Sequence, residues 1–163
     1  MEIAGYPNYL IYDDGRCWSK YSKKFLKPKT NKVDERLRYN LYVNGTCSTF
    51  TIHGLVAEHY LPPKPTALHE VDHKDGNPIN NHINNLRWAT STQQKQNTKL
   101  RSDNSSGFKG VSFDNFTGKY LARICHNKKQ MNLGLYETAE EASEVYELKA
   151  TELFGEFKRI TNL

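Results

Sequence analysis

Turn signals recur at short intervals in the first part of this chain, and they limit it to brief strands. Asp13-Asp14-Gly15 closes one apolar segment, and Asn44-Gly45 separates two alternating segments, residues 37–43 and 49–52. Asn-Gly between alternating β-forming residues is the strongest local signal for a tight hairpin. The N-terminal part is therefore predicted to consist of antiparallel β-hairpins.

The middle of the chain is predicted to contain short elements joined by loops. Residues 55–60 can form a short helix, residues 86–89 a short strand and residues 91–100 a short polar helix. Between the first helix and the strand, Asp75-Gly76-Asn77-Pro78 forces a loop, because these residue types favour turn conformations.

The last third of the chain shows a sheet pattern followed by a helix pattern. Three strands are predicted at residues 108–113, 119–125 and 128–136. Thr138 with Glu141 three residues later forms a capping-box signal, and Gly155 is placed to end the helix. The pattern therefore predicts the α+β fold class, with N-terminal β-hairpins, short central elements, and a C-terminal three-stranded antiparallel sheet plus helix; a central ββα unit is implied only by the resemblance described below.

Composition excludes several classes of protein. The mean hydropathy is -0.78, and no apolar segment approaches the roughly 20 residues needed to span a bilayer. The N-terminal residues carry no export signal, and the three cysteines are far apart and never in a CxxC pattern. We therefore expect no membrane insertion and an intracellular protein in a reducing compartment.

Charge is polarised within the C-terminal third. The formal net charge is +5, and residues 105–136 carry five basic residues against one acidic residue. Residues 137–163 carry three basic against seven acidic residues. This pattern indicates a basic sheet backed by an acidic helix, with one face turned towards phosphate groups; uneven surface charge without function is the alternative.

The densest group of chemically useful side chains lies at residues 71–88, which are rich in Asp, His and Asn. Hydrolysis of a phosphodiester needs a base for the attacking water, and a neutral imidazole suits that role near neutral pH. It also needs a hard cation held by oxygen ligands. Asp72 and His73 at a strand end can supply a ligand and a base, although adjacent strand residues point to opposite faces and the next turn must re-aim one of them. An Asx-rich surface loop is the alternative.

This stretch resembles the active-site motif of the H-N-H, or ββα-metal, endonucleases, especially their phage and intron-homing branch. The resemblance rests on Asp72-His73, Gly76-Asn77 and the Asn85-Leu86-Arg87-Trp88 run. It implies that Asp72 is a metal ligand and His73 the general base. It also implies that Asn85 braces the loop and orients the base.

One departure from that motif concerns the helix residue that completes the metal site. The homing relatives have Asn nine positions after the middle Asn, whereas this chain has Gln94. Gln offers the same carbonyl oxygen on a side chain one methylene longer. Asn97 is an alternative ligand, and the implied cofactor is Mg²⁺ or another divalent cation such as Mn²⁺.

The resemblance implies a metal-dependent endonuclease that hydrolyses double-stranded DNA, of phage or mobile-element origin, acting in the cytoplasm or nucleoid of an infected cell. A single active site favours a monomer that nicks one strand, or a dimer if both strands are cut. The substitution at Gln94 leaves a second possibility open, a catalytically weakened relative that acts as a sequence-specific DNA-binding regulator.

Residues 106–157 resemble the APETALA2-type DNA-binding domain in strand order and helix position. That resemblance implies a sheet that enters the major groove, with the helix packed behind it. Its expected DNA-binding residues are Lys109, Ser112, Lys119, Arg123, Lys128, Gln130 and Asn132. Ser112 and Asn132 differ from the residues common in the plant domains, so base specificity does not transfer, and a module for protein contacts is the alternative.

Residues 5–60 resemble the N-terminal region of the same nuclease branch. Lys24, Lys27 and Lys29 lie near aromatic residues and can follow a DNA backbone; a solvated basic loop is the alternative. The predicted organisation is a nuclease region at 1–104, with a positioning part at 1–60 and a catalytic motif at 66–100, followed by a DNA-binding domain at 105–163.

Overall fold

The computed structural model describes residues 1–30, 34–98, 100 and 102–159, and it confirms the α+β class. Its contacts divide the chain into two compact units, residues 1–91 and residue 92 onward. This division falls earlier than the expected boundary after residue 104. The reason is that the segment after the second helix contacts the C-terminal part, where Lys109 Nζ donates to the carbonyls of Gln96 and Thr98 (2.8 and 3.0 Å).

Among its described residues, the first unit contains three antiparallel sheets and one α-helix. A four-stranded sheet has the order β1-β2-β3-β4, a three-stranded sheet the order β5-β6-β7, and β8 pairs with β9. The helix, α1, begins directly after β7. The elements are β1 (Glu2–Ile3), β2 (Tyr6–Ile11), β3 (Cys17–Ser19), β4 (Lys24–Phe25), β5 (Lys29–Thr30), β6 (Leu37–Val43), β7 (Thr46–Thr51), α1 (Ile52–Tyr60), β8 (His69–His73) and β9 (Leu86–Thr90).

The predicted hairpin at Asn44-Gly45 is confirmed. Both turn residues have positive φ (49° and 78°), as a two-residue hairpin of the right twist requires. The helix α1 begins three residues earlier than predicted, because Ile52 continues its apolar face into the core. That core gathers side chains from two sheets, α1 and β9, namely Ile3, Tyr9, Ile11, Cys17, Tyr39, Leu41, Ile52, Leu55, Val56 and Leu86.

The N-terminal turn lies against the loop that joins β8 to β9. The amide of Ile83 donates to the carbonyl of Asp13 (2.8 Å), and Tyr39 Oη donates to the carbonyl of Gly15 (3.1 Å). Gly15 has φ +86°, and a Cβ there would lie 2.9 Å from Ile52 and 3.2 Å from Asn81. The turn therefore depends on glycine both for its conformation and for the close approach of Asn81.

The second unit is a three-stranded antiparallel sheet, β10-β11-β12, covered on one face by a long helix. The capping box of Thr138 and Glu141 is present, and Gly155 caps the helix C-terminus with φ +52°. The elements are α2 (Ser91–Gln96), β10 (Val111–Asp114), β11 (Lys119–His126), β12 (Lys129–Tyr136) and α3 (Ala139–Phe154).

Buried and exposed side chains alternate along the central strand of the C-terminal sheet. Ala122 and Ile124 are buried against α3, and Met131 and Leu133 pack on the same core. A bulge at Leu133 shifts the register, so that Ala122 pairs with Gly134 and Arg123 with Asn132.

Two predicted boundaries in this half of the chain were wrong. The first strand begins at Val111 rather than at residue 108, because Gly107 and Gly110 have φ +77° and +74° and keep the preceding residues in a turn. The helix α2 ends at Gln96, four residues before the predicted end.

No helix among the described residues is both long enough and apolar enough to cross a membrane.

Candidate active site

The candidate site is built on the β8–β9 hairpin and the loop at residues 74–85 that joins its strands. In this hairpin Asp72 lies opposite Arg87, and His73 lies opposite Leu86. The amide of Lys74 donates to the carbonyl of Asn85 (2.8 Å), which extends the pairing by one step beyond the strands. Asp72 and His73 therefore stand at the closed end of the hairpin, where the loop begins.

His73 is buried, and its contacts include the side chains of Asn81 and His53. Its Nε2 lies 3.1 Å from Oδ1 of Asn81, and its ring packs edge to face on that of His53, with 5.3 Å between centroids. Asn81 in turn donates from Nδ2 to the carbonyl of Ile79 (3.1 Å). The imidazole is thus fixed by contacts on its edge and on its face.

Asp72 forms an ion pair with Arg87 across the hairpin. Nε and Nη2 of Arg87 lie 2.9 and 2.8 Å from Oδ2 of Asp72, and both side chains are about nine-tenths buried (9% and 11% exposed). Cross-strand partners share one face of a two-stranded sheet. His73 lies opposite the core residue Leu86, so the contacts of Asp72 and His73 follow the two opposite faces that the strand pleat requires.

Asn85 braces the loop through its side chain. Its Oδ1 accepts from the amide of Asp75 (3.1 Å), and its Nδ2 donates to Asp75 Oδ1 and to the carbonyl of Asn80 (2.9 and 2.8 Å). Asn85 therefore bonds within the loop, whereas the side chain that is hydrogen-bonded to His73 is that of Asn81, four residues earlier. The family resemblance assigned two roles to Asn85, bracing the loop and orienting the base. In the structure Asn85 makes the loop contacts and Asn81 makes the contact with His73.

Asp75 organises the same loop from its centre. Its carboxylate also accepts from the Asn77 amide and from Asn80 Nδ2 (both 2.7 Å). Burial works to raise the pKa of Asp75, but these hydrogen bonds, those of Asn85 and the nearby His73 outweigh it, so the pKa lies below its ordinary value. An ionised Asp75 is therefore an integral part of the loop.

His53 is an uncharged neighbour of the candidate base. Burial lowers its pKa to about 4, and His73, Arg36 and Arg38 lower it further in the same direction. Among the described residues its Nδ1 has no hydrogen-bond partner. His53 therefore stays neutral at physiological pH and presents an uncharged ring to His73.

The two candidate helix ligands, Gln94 and Asn97, belong to the second unit. Gln94 lies on α2, and Asn97 follows the helix directly, with its amide within hydrogen-bonding distance of the carbonyls of Gln93 and Gln94. No group of three or more His, Cys, Asp or Glu side chains is arranged as a metal site in the part of the chain that the structure describes. Their role as ligands remains a prediction.

The residues expected to contact DNA differ in their exposure. Arg123, Lys128, Gln130 and Asn132 are exposed on β11, on β12 or at the turn between them, as are Lys24, Lys27 and Lys29 in the first unit. Arg123 donates to Ser112 Oγ (3.2 Å), and Lys119 pairs with Glu137 (2.5 Å).

Lys109 differs from the other expected DNA contacts. It is half-buried, burial lowers its pKa, and its Nζ is held by the two backbone carbonyls described above. Its visible role is to fix the segment after α2.

Sequence reasoning missed Asn81, Arg87 and His53 as parts of the site. Arg87 could have been identified from the sequence, because it lies opposite Asp72 in any hairpin of this register. Asn81 is one of several asparagines in the loop, and only the folded loop distinguishes it. His53 comes from α1, nineteen residues before Asp72 in the sequence, so no local pattern connects them.

The chain is similar to a known protein family and to proteins of viruses and phages. The family model described as HNH endonuclease matches residues 51–96. The uncharacterised HNH endonuclease L245 of Acanthamoeba polyphaga mimivirus is 42% identical over 93 residues, which cover 57% of this chain and 28% of that protein. The DNA endonuclease I-HmuI of Bacillus phage SP01 is 39% identical over 101 residues, which cover 61% of this chain and 57% of that protein.

A smaller relative is matched over most of its length. Protein 3.8 of Escherichia phage T7 is 33% identical over 89 residues, which cover 55% of this chain and 73% of that protein. By contrast, this chain spans between 22% and 57% of the length of three larger relatives.

Most of the chain also resembles a solved structure. The structure described as DNA binding and cleavage by the HNH homing endonuclease I-HmuI matches with a TM-score of 0.54 and 28% sequence identity. The match covers 93% of this chain and 85% of that one, and so it includes both units.

Proposed function

Because the chain belongs to the HNH endonuclease family, we propose that it hydrolyses phosphodiester bonds in double-stranded DNA with the help of a divalent metal ion, as an enzyme of a phage or mobile element. The observation that carries the proposal is the arrangement of side chains at the closed end of the β8–β9 hairpin. There a carboxylate and an imidazole, Asp72 and His73, are adjacent in sequence and are each fixed by a separate buried partner.

His73 is the general base in this proposal. Its ring is held by Asn81 and packs on the uncharged ring of His53, so no neighbouring imidazolium opposes the uptake of a proton. A positioned base of this kind contributes about 10²- to 10⁴-fold to the rate of proton transfer from water. The proton of the attacking water goes to the imidazole as the new P–O bond forms, and the bond from phosphorus to the departing 3′ oxygen breaks to leave a 5′ phosphate.

Asp72 would hold the metal ion, and its chemistry fits one. Mg²⁺ is commonly bound in enzymes through one or two carboxylates together with substrate phosphate oxygens. Asp72 is a hard oxygen ligand whose orientation Arg87 fixes. An amide oxygen from Gln94 or Asn97 is the proposed second protein ligand. When bound, the metal ion supplies stabilisation of the negative charge that develops on the phosphate and the departing oxygen.

DNA is the proposed partner of both units. Supporting features are the exposed donors of the β11–β12 face and the exposed lysines of β4, β5 and the segment between them. Donors of these types contact phosphates and base edges in protein–DNA complexes. We propose a monomer that cuts one strand in each binding event, since the part of the chain that the structure describes contains one such hairpin site.

The test is cleavage of supercoiled plasmid carrying random inserts by the wild-type protein and by His73→Ala, with Mg²⁺, with Mn²⁺ and with EDTA. We expect nicked circles with either ion, none with EDTA, and a rate about 10²- to 10⁴-fold lower for His73→Ala. His82→Asn is the matched control. His82 lies in the same loop and accepts from the Asn84 amide, a cap that Asn can also provide.

Each alternative has its own outcome in this experiment. Equal activity of the wild type and His73→Ala would remove His73 from the mechanism. Linear product formed without accumulation of nicked circles would replace the nicking proposal by coordinated cutting of both strands. Tight, salt-sensitive DNA binding without cleavage in either ion would identify the chain as a DNA-binding regulator instead.

A further inference from the structure

Asn81 is held so firmly that the orientation of its amide group can be deduced from its partners. The side chain is only 4% exposed, and one end of the amide lies 3.1 Å from the carbonyl oxygen of Ile79. A carbonyl oxygen can only accept a hydrogen bond, so the amide end that faces Ile79 must be the NH₂ group. The other end, which faces His73, is therefore the oxygen Oδ1.

This orientation fixes the position of the proton on the candidate base. Oδ1 of Asn81 is an acceptor and lies 3.1 Å from Nε2 of His73, so Nε2 must carry the hydrogen. A neutral imidazole carries one N–H, so the lone pair is then on Nδ1.

We infer that Asn81 is a positioning residue that selects the Nε2–H tautomer of His73 and so makes Nδ1 the atom that takes the proton from water. The inference rests on the proposed role of His73 as the general base. It assigns to Asn81 the orienting task that the family motif would give to Asn85, which is occupied by Asp75 and Asn80.

The N-terminal turn keeps Asn81 in place. Gly15 approaches the Asn81 side chain so closely that an added Cβ would lie 3.2 Å from Asn81 Cβ, and the Asp13 carbonyl holds the amide of Ile83 two residues further along the loop (2.8 Å). Buried partners that fix the tautomer of a functional histidine are a common means of preparing it for catalysis. The order of contacts therefore runs from the turn at Gly15 through Asn81 to His73.

The direct test is the tautomer of His73 in the whole protein, read from long-range ¹H–¹⁵N correlation spectra of ¹⁵N-labelled protein at a pH where the ring is neutral. In the wild type we expect Nε2 to show the shift of a protonated ring nitrogen and Nδ1 that of an unprotonated one. A wild-type spectrum with the proton on Nδ1 overturns the inference, and this measurement needs no variant.

Variants connect the tautomer to the reaction. Asn81→Leu removes the acceptor at similar volume, and we expect a mixture of tautomers and a kcat about tenfold lower, the ratio that one hydrogen bond of ordinary net strength supports, with KM for DNA unchanged. Asn81→Asp keeps an acceptor towards Nε2 and should retain the wild-type tautomer. Asn80→Ala is the matched control. Its side chain bonds to Asp75 rather than to His73, so we expect no change of tautomer.

The outcomes separate this inference from the proposed function. An Asn81→Leu protein that keeps both the wild-type tautomer and the wild-type kcat overturns the inference while leaving His73 as the base. If His73→Ala cleaves DNA as fast as the wild type, the proposed role of His73 fails, whatever tautomer the spectrum shows. If Asn81→Leu does not fold, the wild-type spectrum and the Asn81→Asp spectrum still decide the tautomer.

Discussion

At the scale of single residues, Arg87 is the buried cation that pairs with Asp72 across the hairpin. It is buried, and its guanidinium makes two contacts of 2.8 and 2.9 Å to one oxygen of Asp72. Burial of a charge without a partner costs several kcal/mol, so the loss of one member of such a pair is more harmful than the loss of both. Arg87 therefore stabilises the fold of the hairpin as well as the orientation of Asp72.

Replacement of Arg87 should for that reason be strongly destabilising. We expect Arg87→Met to lower the free energy of unfolding by about 3 kcal/mol or more, because the buried carboxyl group of Asp72 loses its ion pair with the guanidinium. Urea denaturation at neutral pH measures the change. The exposed pair of Arg16 with Asp14 is the matched control, and Arg16→Met should cost less than about 1 kcal/mol. Equal effects at the two positions would contradict the buried-pair argument.

His53 gives the stability of the protein a specific pH dependence. Its pKa is about 4 in the folded protein, against an ordinary histidine pKa of 6.5. The unfolded state therefore takes up a proton first as the pH falls, and stability that is complete above the unfolded pKa is lost between that value and the folded one. Between pH 7.5 and pH 5 this loss amounts to about 2 kcal/mol.

The variant His53→Leu should lose that component of the pH dependence. The measurement is the free energy of unfolding of both proteins at the two pH values, and the difference between them removes the contribution of the other titrating groups. An equally steep decline in the wild type and in His53→Leu would show that His53 is not the group responsible.

At the same scale, the sequence predicted the chemistry of the site better than its supporting contacts. Asp72 and His73 could be identified because residue type and spacing express what phosphodiester hydrolysis requires. Asn81 could not be identified, because several asparagines in the loop are equivalent until the chain folds, and the choice is made by the Ile79 carbonyl and the Gly15 contact.

At the scale of elements, local signals succeeded where one short interaction decides the structure. The Asn44-Gly45 turn and the capping box of Thr138 are such cases. The start of β10 was misjudged because Gly110 takes φ +74° and lies under Tyr146 of α3, with only 2.2 Å between an added Cβ and that ring. This contact is with a residue far along the chain, so a local pattern cannot report it.

The N-terminal turn is an element whose effect reaches the candidate base. We expect Gly15→Ala to lower the free energy of unfolding by about 2 to 4 kcal/mol, since it combines left-handed strain with contacts of 2.9 Å to Ile52 and 3.2 Å to Asn81. Cleavage should also slow, because the displaced Asn81 no longer holds His73. Plasmid cleavage and urea denaturation provide the two measurements.

Gly45→Ala is the control for that substitution. Gly45 has a similar φ, +78°, but nothing lies within 4 Å of an added Cβ. It should cost about 1 to 2 kcal/mol from strain alone and leave kcat unchanged. Equal losses of activity in the two variants would disprove the claim that Gly15 affects His73 specifically through its contact with Asn81.

At the scale of the whole molecule, the candidate functional residues of the two units differ in their burial. The hairpin site in residues 1–91 depends on buried partners, whereas the β11–β12 face in the second unit consists largely of exposed polar donors. The acidic residues of that unit are concentrated on the segment that includes α3, which packs against the opposite face of the sheet. This separation of charge within one small unit favours a single sheet face as the surface that meets a polyanion.

Arg123 tests that assignment, because it lies near the middle of this exposed face and pairs across it with Asn132. We expect Arg123→Ala to weaken DNA binding by the full chain, and to reduce the slope of log K against log salt by about 1 if the guanidinium contacts a phosphate. If Arg123 contacts a base edge instead, the loss should be confined to the preferred sequence, at about 1–3 kcal/mol, with the slope on other sequences unchanged. Lys149→Ala on α3, where Lys149 pairs with Glu152, is the matched control of equal charge change. Fluorescence anisotropy, measured over a series of salt concentrations, separates these cases. Identical binding curves for Arg123→Ala and Lys149→Ala would exclude the β11–β12 face as the DNA-binding surface.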